Sequence, residues 1–160
     1  MNKRLFEIVT DSSTDLPESY FLEHNVECVH LGFLMENVNY EGEDGKKITE
    51  KEFYAKLRSG SMPTTYQVTA EAAKPHFEKF LKEGKDVLVI AFSSGLSGTE
   101  GSYRIAAKEL KEIYPDRKVV VVDSLCASLG QGLLVYLAAQ ERAKGKGIEE
   151  VRDWLETEKF

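Results

Sequence analysis

Cysteine and histidine are scarce in this chain of 160 residues, and their scarcity removes whole classes of chemistry. The two cysteines, Cys28 and Cys126, lie far apart, which excludes a disulfide framework and offers no metal-ligand spacing. The three histidines, His24, His30 and His76, fall in no motif, so no serine can be given a general base. Gly95-Leu96-Ser97-Gly98 is not a nucleophile elbow. Neither Gly45-Lys46 nor Gly84-Lys85 is followed by the hydroxyl residue of a phosphate loop. Positive charge is also in deficit: 21 lysines and arginines face 27 acidic residues, a net charge of −6, which argues against nucleic acid as a partner. Apolar runs stop far short of a membrane span, and Lys3-Arg4 leads into strand residues rather than a signal core. A cytosolic location is the default expectation.

What is present reads as one soluble domain with a real core, 42% apolar and 30% charged. The chain is organised around residues 87–107. Val87-Leu88-Val89-Ile90 is a continuous apolar run of strand length, suited to a parallel sheet covered on both faces. The loop Ser93-Ser94-Gly95-Leu96-Ser97-Gly98-Thr99 follows, and a helical pattern resumes at Tyr103, Ile105, Ala106 and Leu110. Strand, small polar loop and helix is how α/β proteins build an anion site, because amides at a helix start lack partners and glycine lets a ligand approach. An ordinary capped turn accounts for one hydroxyl, but less well for four in seven residues. A ligand site is favoured.

Elsewhere, Phe6–Thr10 predicts a strand running into Asp11-Ser12, then a helix capped by Thr14 or Asp15 and reaching about His24. Val26–Met35 alternates as one strand, with Val29, Leu31 and Phe33 on one face, and Val38–Tyr40 adds a short one. Glu41–Lys47 is a turn. Thr49-Glu50-Lys51-Glu52 is a capping box that would turn Phe53, Tyr54 and Leu57 inward. A polar loop, Ser61–Thr69, ends in the cap of a helix through Ala73, Phe77 and Leu81. Lys118–Val122 predicts a buried strand ending in Asp123-Ser124, Ala127–Ala143 a buried helix, and Ile148–Leu155 a last amphipathic one. The pattern implies an α/β three-layer sandwich with a largely parallel sheet and its ligand at the strands' carboxyl edge.

Bland readings compete at several residues. Asp11 and Asp123 could hold a metal ion or act as acid and base, but carboxylates after strands more often bind loop amides, and that role is favoured. Gly130-Gln131-Gly132 is too incomplete for a dinucleotide fingerprint and suits close helix packing. Cys28 is assigned to the core and Cys126 to packing. His24 and His76 are placed on the surface, and His30 in a strand that packs or faces a pocket. Trp154 and Phe160 would cover the end of the core or an edge meant for something beyond the chain.

Four stretches together resemble the DegV family: Asp11-Ser12-Ser13-Thr14-Asp15-Leu16-Pro17, Pro63-Thr64-Thr65-Tyr66-Gln67, Ser93–Thr99, and Val122-Asp123-Ser124 with Ser128, Gly130 and Gly132. The resemblance implies a bacterial protein, of the DegV N-terminal domain type over residues 1–160, that binds a long-chain fatty acid. It also implies a separate ATP-dependent fatty acid kinase subunit to which the acid is presented. By that likeness the carboxylate-binding residues are Thr65 and Ser93, with Ser94 beside it. Ser12, Tyr66, Gly95, Ser97, Gly98, Thr99 and Ser124 are secondary candidates. No metal or other cofactor and no catalysis by the chain itself are expected, the alternative being an α/β phosphotransferase or hydrolase using Asp11, Asp123 or Ser97. Phe33, Leu34 and Leu96 are candidates for lining the tail slot. Tyr66 and Val68 depart from the family pattern, which has serine and a small residue or proline there. The resemblance further implies a second, C-terminal lipid-binding domain, expected to begin where Trp154–Phe160 ends this sequence.

Overall fold

The computed structural model describes residues 6–42 and 44–159. Met1–Leu5, Glu43 and Phe160 lie outside them, and with them the basic N-terminal pair, one residue of the Glu41–Lys47 turn and the last aromatic.

Four strands form a parallel sheet in the order β2-β1-β6-β7: β1 (Phe6–Asp11), β2 (Val26–Val29), β6 (Asp86–Ala91) and β7 (Val119–Asp123). The run of apolar residues in β6 is explained by its central place. Leu88 and Ile90 face one way with Phe6 and Ile8; Val87, Val89 and Ala91 face the other with Val9. Both faces are covered, so each residue of β6 is apolar after the first, and both sets are almost fully buried. On the first face lie α1 (Glu18–His24), α5 (Ser128–Ala143) and α6 (Ile148–Glu158), packing Leu134, Val135, Ala138, Val151 and Leu155. On the second lie α3 (Ala70–Lys82) and α4 (Thr99–Ile113), packing Ala73, Phe77, Tyr103, Ala106 and Leu110. The three-layer α/β sandwich with a parallel sheet is therefore as expected.

Val26–Met35 is two strands, not one. β2 pairs with β1 in the main sheet, whereas β3 (Gly32–Met35) pairs antiparallel with β4 (Val38–Glu41) and β5 (Thr64–Tyr66) in a second, three-stranded sheet. The chain changes sheets at His30-Leu31, where the Leu31 amide donates to Ser12 Oγ at 3.0 Å instead of to a strand. Alternation survives the change, so period alone does not mark it. β5 also falls inside the stretch read as a polar loop. The second sheet gathers its own small aromatic cluster with α2 (Glu50–Arg58): Phe33 stacks on Tyr40 at 5.3 Å and meets Phe53 edge-on at 5.2 Å. The Thr49 capping box forms as expected, but Tyr54 stays 53% exposed.

Other differences are local. α1 begins after Pro17 without a side-chain cap; Asp11 instead accepts from Ser13 N and caps a single 3-10 turn, Ser12–Thr14, while Asp15 adopts a left-handed conformation. α5 is buried along one side only, with Leu129, Leu133 and Tyr136 left exposed. β7 is an edge strand, so three of its valines are half-buried. His30 lies in the sheet-to-sheet link rather than within a strand, and there it lines a pocket, as expected. Cys28 is half-buried, and burial together with the charges of Asp11 and Glu27 pushes its thiol up to about 12, which leaves it inert. His76 is half-buried too, bonded through Nδ1 to Glu27 at 2.6 Å.

Two stability measurements follow from this packing. A Cβ built on Gly132 would lie 2.8 Å from the Thr14 carbonyl oxygen, a backbone atom that cannot step aside. Gly132→Ala is expected to cost about 1–3 kcal/mol in urea unfolding. At Glu27, burial pushes the carboxyl up, but hydrogen bonds from His76 and Lys79 outweigh it and hold the group below its usual 4.5. Its contribution is thus present above that value and lost as pH falls through the lower folded one. Glu27→Gln is expected to lose on the order of 1 kcal/mol near pH 7 and progressively less as pH falls below 4.5.

Candidate functional site

The sheet order places a topological switch point between β1 and β6: the chain moves from β1 outward to β2, then returns to the other side of β1. In such sheets the loops after these two strands diverge, and ligands sit beyond the strands' carboxyl ends. Asp11-Ser12-Ser13 and Phe92–Gly98 are those two loops, and Asp123–Cys126 flanks them after β7.

The loops are tied to one another by carboxylates. Asp11 Oδ2 accepts from Phe92 N at 3.0 Å, and Oδ1 accepts from Ser13 N, the Ser13 hydroxyl and Gln131 Nε2. Burial pushes the Asp11 carboxyl up despite these bonds. Asp123 Oδ1 accepts from Ser94 N at 3.2 Å and Leu125 N at 3.0 Å. Burial raises its pKa, but the bonds from Ser94 and Leu125 outweigh that and leave it lowered. Both aspartates are spent on loop amides, the arrangement favoured from sequence. Among the described residues no group of three or more His, Cys, Asp or Glu is disposed to hold a metal ion.

The hydroxyls divide by task. Ser12 Oγ holds the Leu31 amide, and Ser124, fully buried, bonds the Cys126 amide and carbonyl. Ser97 Oγ accepts from Thr99 N and lies 2.9 Å from the Thr99 hydroxyl, which in turn accepts from Val68 N at 3.2 Å. Ser93 Oγ accepts from Gly95 N at 3.3 Å. That bond uses oxygen lone-pair capacity, so the Ser93 hydroxyl proton is left to donate elsewhere. Thr65, exposed on β5, has a hydroxyl with no partner among the described residues.

The amides of this loop are less available than its composition suggests. Ser94 N bonds Asp123, Gly95 N bonds Ser93 Oγ, Leu96 N and Ser97 N bond Ser93 O, and Thr99 N bonds Ser97 Oγ. Gly98 caps α4 by backbone alone; the Gln67 side chain fills the space over it, and a Cβ there would lie 2.0 Å from Gln67 Oε1.

β5 is delivered to this loop by the same bonds. Val68 N reaches Thr99, and Gln67 Nε2 donates to Ser102 Oγ at 3.3 Å on the first turn of α4. Thr65 pairs with Phe33 across the second sheet and so shares its face. Phe33 with Ser12, Ile48, Phe53 and Tyr54 lines a cleft of about 550 Å³. Tyr66 points to the opposite face, where its ring covers Gly32; a Cβ on Gly32 would lie 2.2 Å from the Tyr66 oxygen. The departure at Tyr66 is thus matched by glycine across the sheet. Leu34 and Leu96 are 41% and 66% exposed, and Leu125 and Leu129, not singled out from sequence, are exposed beside the same edge.

Fold and site together define a doubly covered parallel α/β protein with hydroxyl-rich loops at its switch point. The family model described as "Uncharacterised protein, DegV family" matches residues 5–159, and the chain belongs to the DegV family. A DegV domain-containing protein of Clostridium perfringens is 44% identical over 154 residues, covering 96% of this chain and 53% of that protein. A DegV family protein of Thermus thermophilus whose structure is described as fatty acid binding aligns with TM-score 0.84 and 34% identity, over 96% of this chain and 53% of its own. A stearic acid-binding protein of Eubacterium ventriosum aligns with TM-score 0.86 and 27% identity, over 94% and 52%. The chain spans about half the length of the relatives it matches. No helix among the described residues is long and apolar enough to cross a membrane.

The Thr99 hydroxyl joins β5 to the loop, which makes it a structural test point. Thr99→Val leaves the buried Val68 amide without an acceptor and is expected to cost about 1–3 kcal/mol in urea unfolding, with Thr99→Ser restoring most of it.

Proposed function

We propose that this chain binds the carboxylate of a long-chain fatty acid between Thr65 and Ser93, and presents it to a separate ATP-dependent kinase subunit without doing chemistry itself. The observation that carries this reading is the joining of β5 to the Ser93 loop, with an unpartnered hydroxyl on Thr65 and a Ser93 oxygen that already accepts from Gly95. Two hydroxyl donors suit a carboxylate, which accepts and does not donate. Ser94 is second in line, since its amide and side chain already serve Asp123. The tail would run over apolar surface beside these loops, from the exposed Leu96 toward Leu125 and Leu129 or into the cleft at Phe33. Each buried methylene would add about 0.8 kcal/mol.

Support from relatives is chemical as well as structural: the Thermus thermophilus protein is described as fatty acid binding and the Eubacterium ventriosum one as binding stearic acid. A phosphotransferase or hydrolase built on Asp11 or Asp123 is disfavoured, because both carboxylates are committed to loop amides. In relatives about twice as long, the remaining half is the natural source of a second wall for the tail.

The test is titration of the isotope-labelled, delipidated chain with octanoate and oleate, followed by amide NMR. Shifts centred on Thr65, Ser93, Ser94 and Gly95, weakened at least tenfold in Thr65→Val with Ser93→Ala, are the expected result. Shifts confined to another surface, or none with either acid, overturn the assignment.

A further inference from the structure

Among the described residues Gln131 is the only amide side chain that is fully buried, and it stands on α5 where that helix crosses the carboxyl ends of β1 and β6. The two hydrogens of its Nε2 are shared among Thr10 Oγ1, Asp11 Oδ1 and Ile90 O, each at 3.2 Å, and its Oε1 lies 2.7 Å from Ser13 Oγ, whose one proton it shares with Asp11. One side chain therefore touches the ends of both strands of the switch point and the turn after β1. Through Asp11 it acts on Phe92 N, the amide immediately before Ser93. The neighbouring Gly132 lets α5 press against the Thr14 carbonyl, close enough for Gln131 to reach.

Burying an amide here instead of leucine or methionine costs desolvation that an apolar core would not incur. A fully connected polar network returns rigidity and a unique geometry rather than net stability. A second buried polar group, Arg142 with Glu7 and the carbonyls of His24 and Asn25, lies at the other end of β1, so the network around Gln131 is the one that borders the loops after β1 and β6.

The geometry points to Gln131 as a positioning residue for the carboxylate site: it fixes the Asp11 carboxylate, which fixes Phe92 and hence the direction of the Ser93 hydroxyl. It touches no ligand. This assignment rests on the binding site proposed above.

Gln131→Met keeps side-chain length and removes every donor; Gln131→Leu is the second variant should the first fail to fold. Val151→Ala, buried in the same helical layer but remote from these loops, supplies a control of lowered stability. Two quantities are read: octanoate and oleate affinity, and hydrogen exchange at the Phe92, Ser93 and Ser94 amides. Expected for a Gln131 variant is affinity weakened by about tenfold, the scale of one lost hydrogen bond, with faster exchange at these amides, while Val151→Ala changes neither by more than about twofold. Unchanged affinity in a folded Gln131 variant, against a binding parent chain, overturns the positioning role and leaves the binding site standing. If the parent chain binds neither acid, the site assignment falls, and the exchange readout decides separately. Faster exchange confined to the Gln131 variants keeps Gln131 as the residue that orders the loop, and exchange equal to that of Val151→Ala removes it.

Discussion

The carboxylate of Asp11 bridges two loops that the topology sends apart. At a switch point, neighbouring strands send their connections in opposite directions, and nothing in the ladder holds the two loops in register once it ends. Asp11 supplies that restraint by accepting the Phe92 amide with one oxygen and the Ser13 turn with the other. Buried and surrounded by donors, it is strong where a neutral acceptor would be weak, because charge-assisted bonds gain most in a low dielectric. The loops diverge, and Asp11 ties their roots.

The same logic bears on how a threonine on a separate sheet is held beside the loop after β6, as the proposed site requires. The second sheet is an excursion between β2 and β6, and by itself it has a modest aromatic cluster for support. Its strand β5 is held to the main body through Val68 on Thr99 and Gln67 on Ser102. The ladder with β3 and the hydrogen bonds at the first turn of α4, rather than extensive burial, therefore place Thr65. All three residues of β5 are exposed, so its position depends on few contacts, each of which counts.

The layers were legible in the sequence wherever burial is one- or two-sided and regular. Val87–Ile90 reads as a central strand because both its faces meet helices, and the Thr49 and Thr69 caps read correctly because capping is local. The hand-over at His30-Leu31 was not legible, since a change of sheet preserves alternation. Nor was the exposed side of α5, because Leu129 and Leu133 carry the composition of core residues while facing outward. At the site, the family motifs located the loops. Gln131 was visible only as the middle of a glycine pair; its role depends on which strands its helix crosses, a relation that no local spacing encodes.

The density of hydroxyls in Ser93–Thr99 drew attention to the loop, and most of it turns out to be scaffolding. Ser97 caps Thr99, Thr99 holds β5, and Ser94 serves Asp123. A loop that must present one fixed donor beyond a strand end has no ladder to order it, so it satisfies its amides with its own side chains. Hydroxyl number is therefore a poor measure of ligand contacts here. The informative residues are those whose capacity the fold leaves unspent: the Thr65 hydroxyl and the proton of Ser93. At the proposed site, binding strength would be set less by the count of donors than by how little they must move when a carboxylate arrives, which is the part the proposal gives to Asp11 and Gln131.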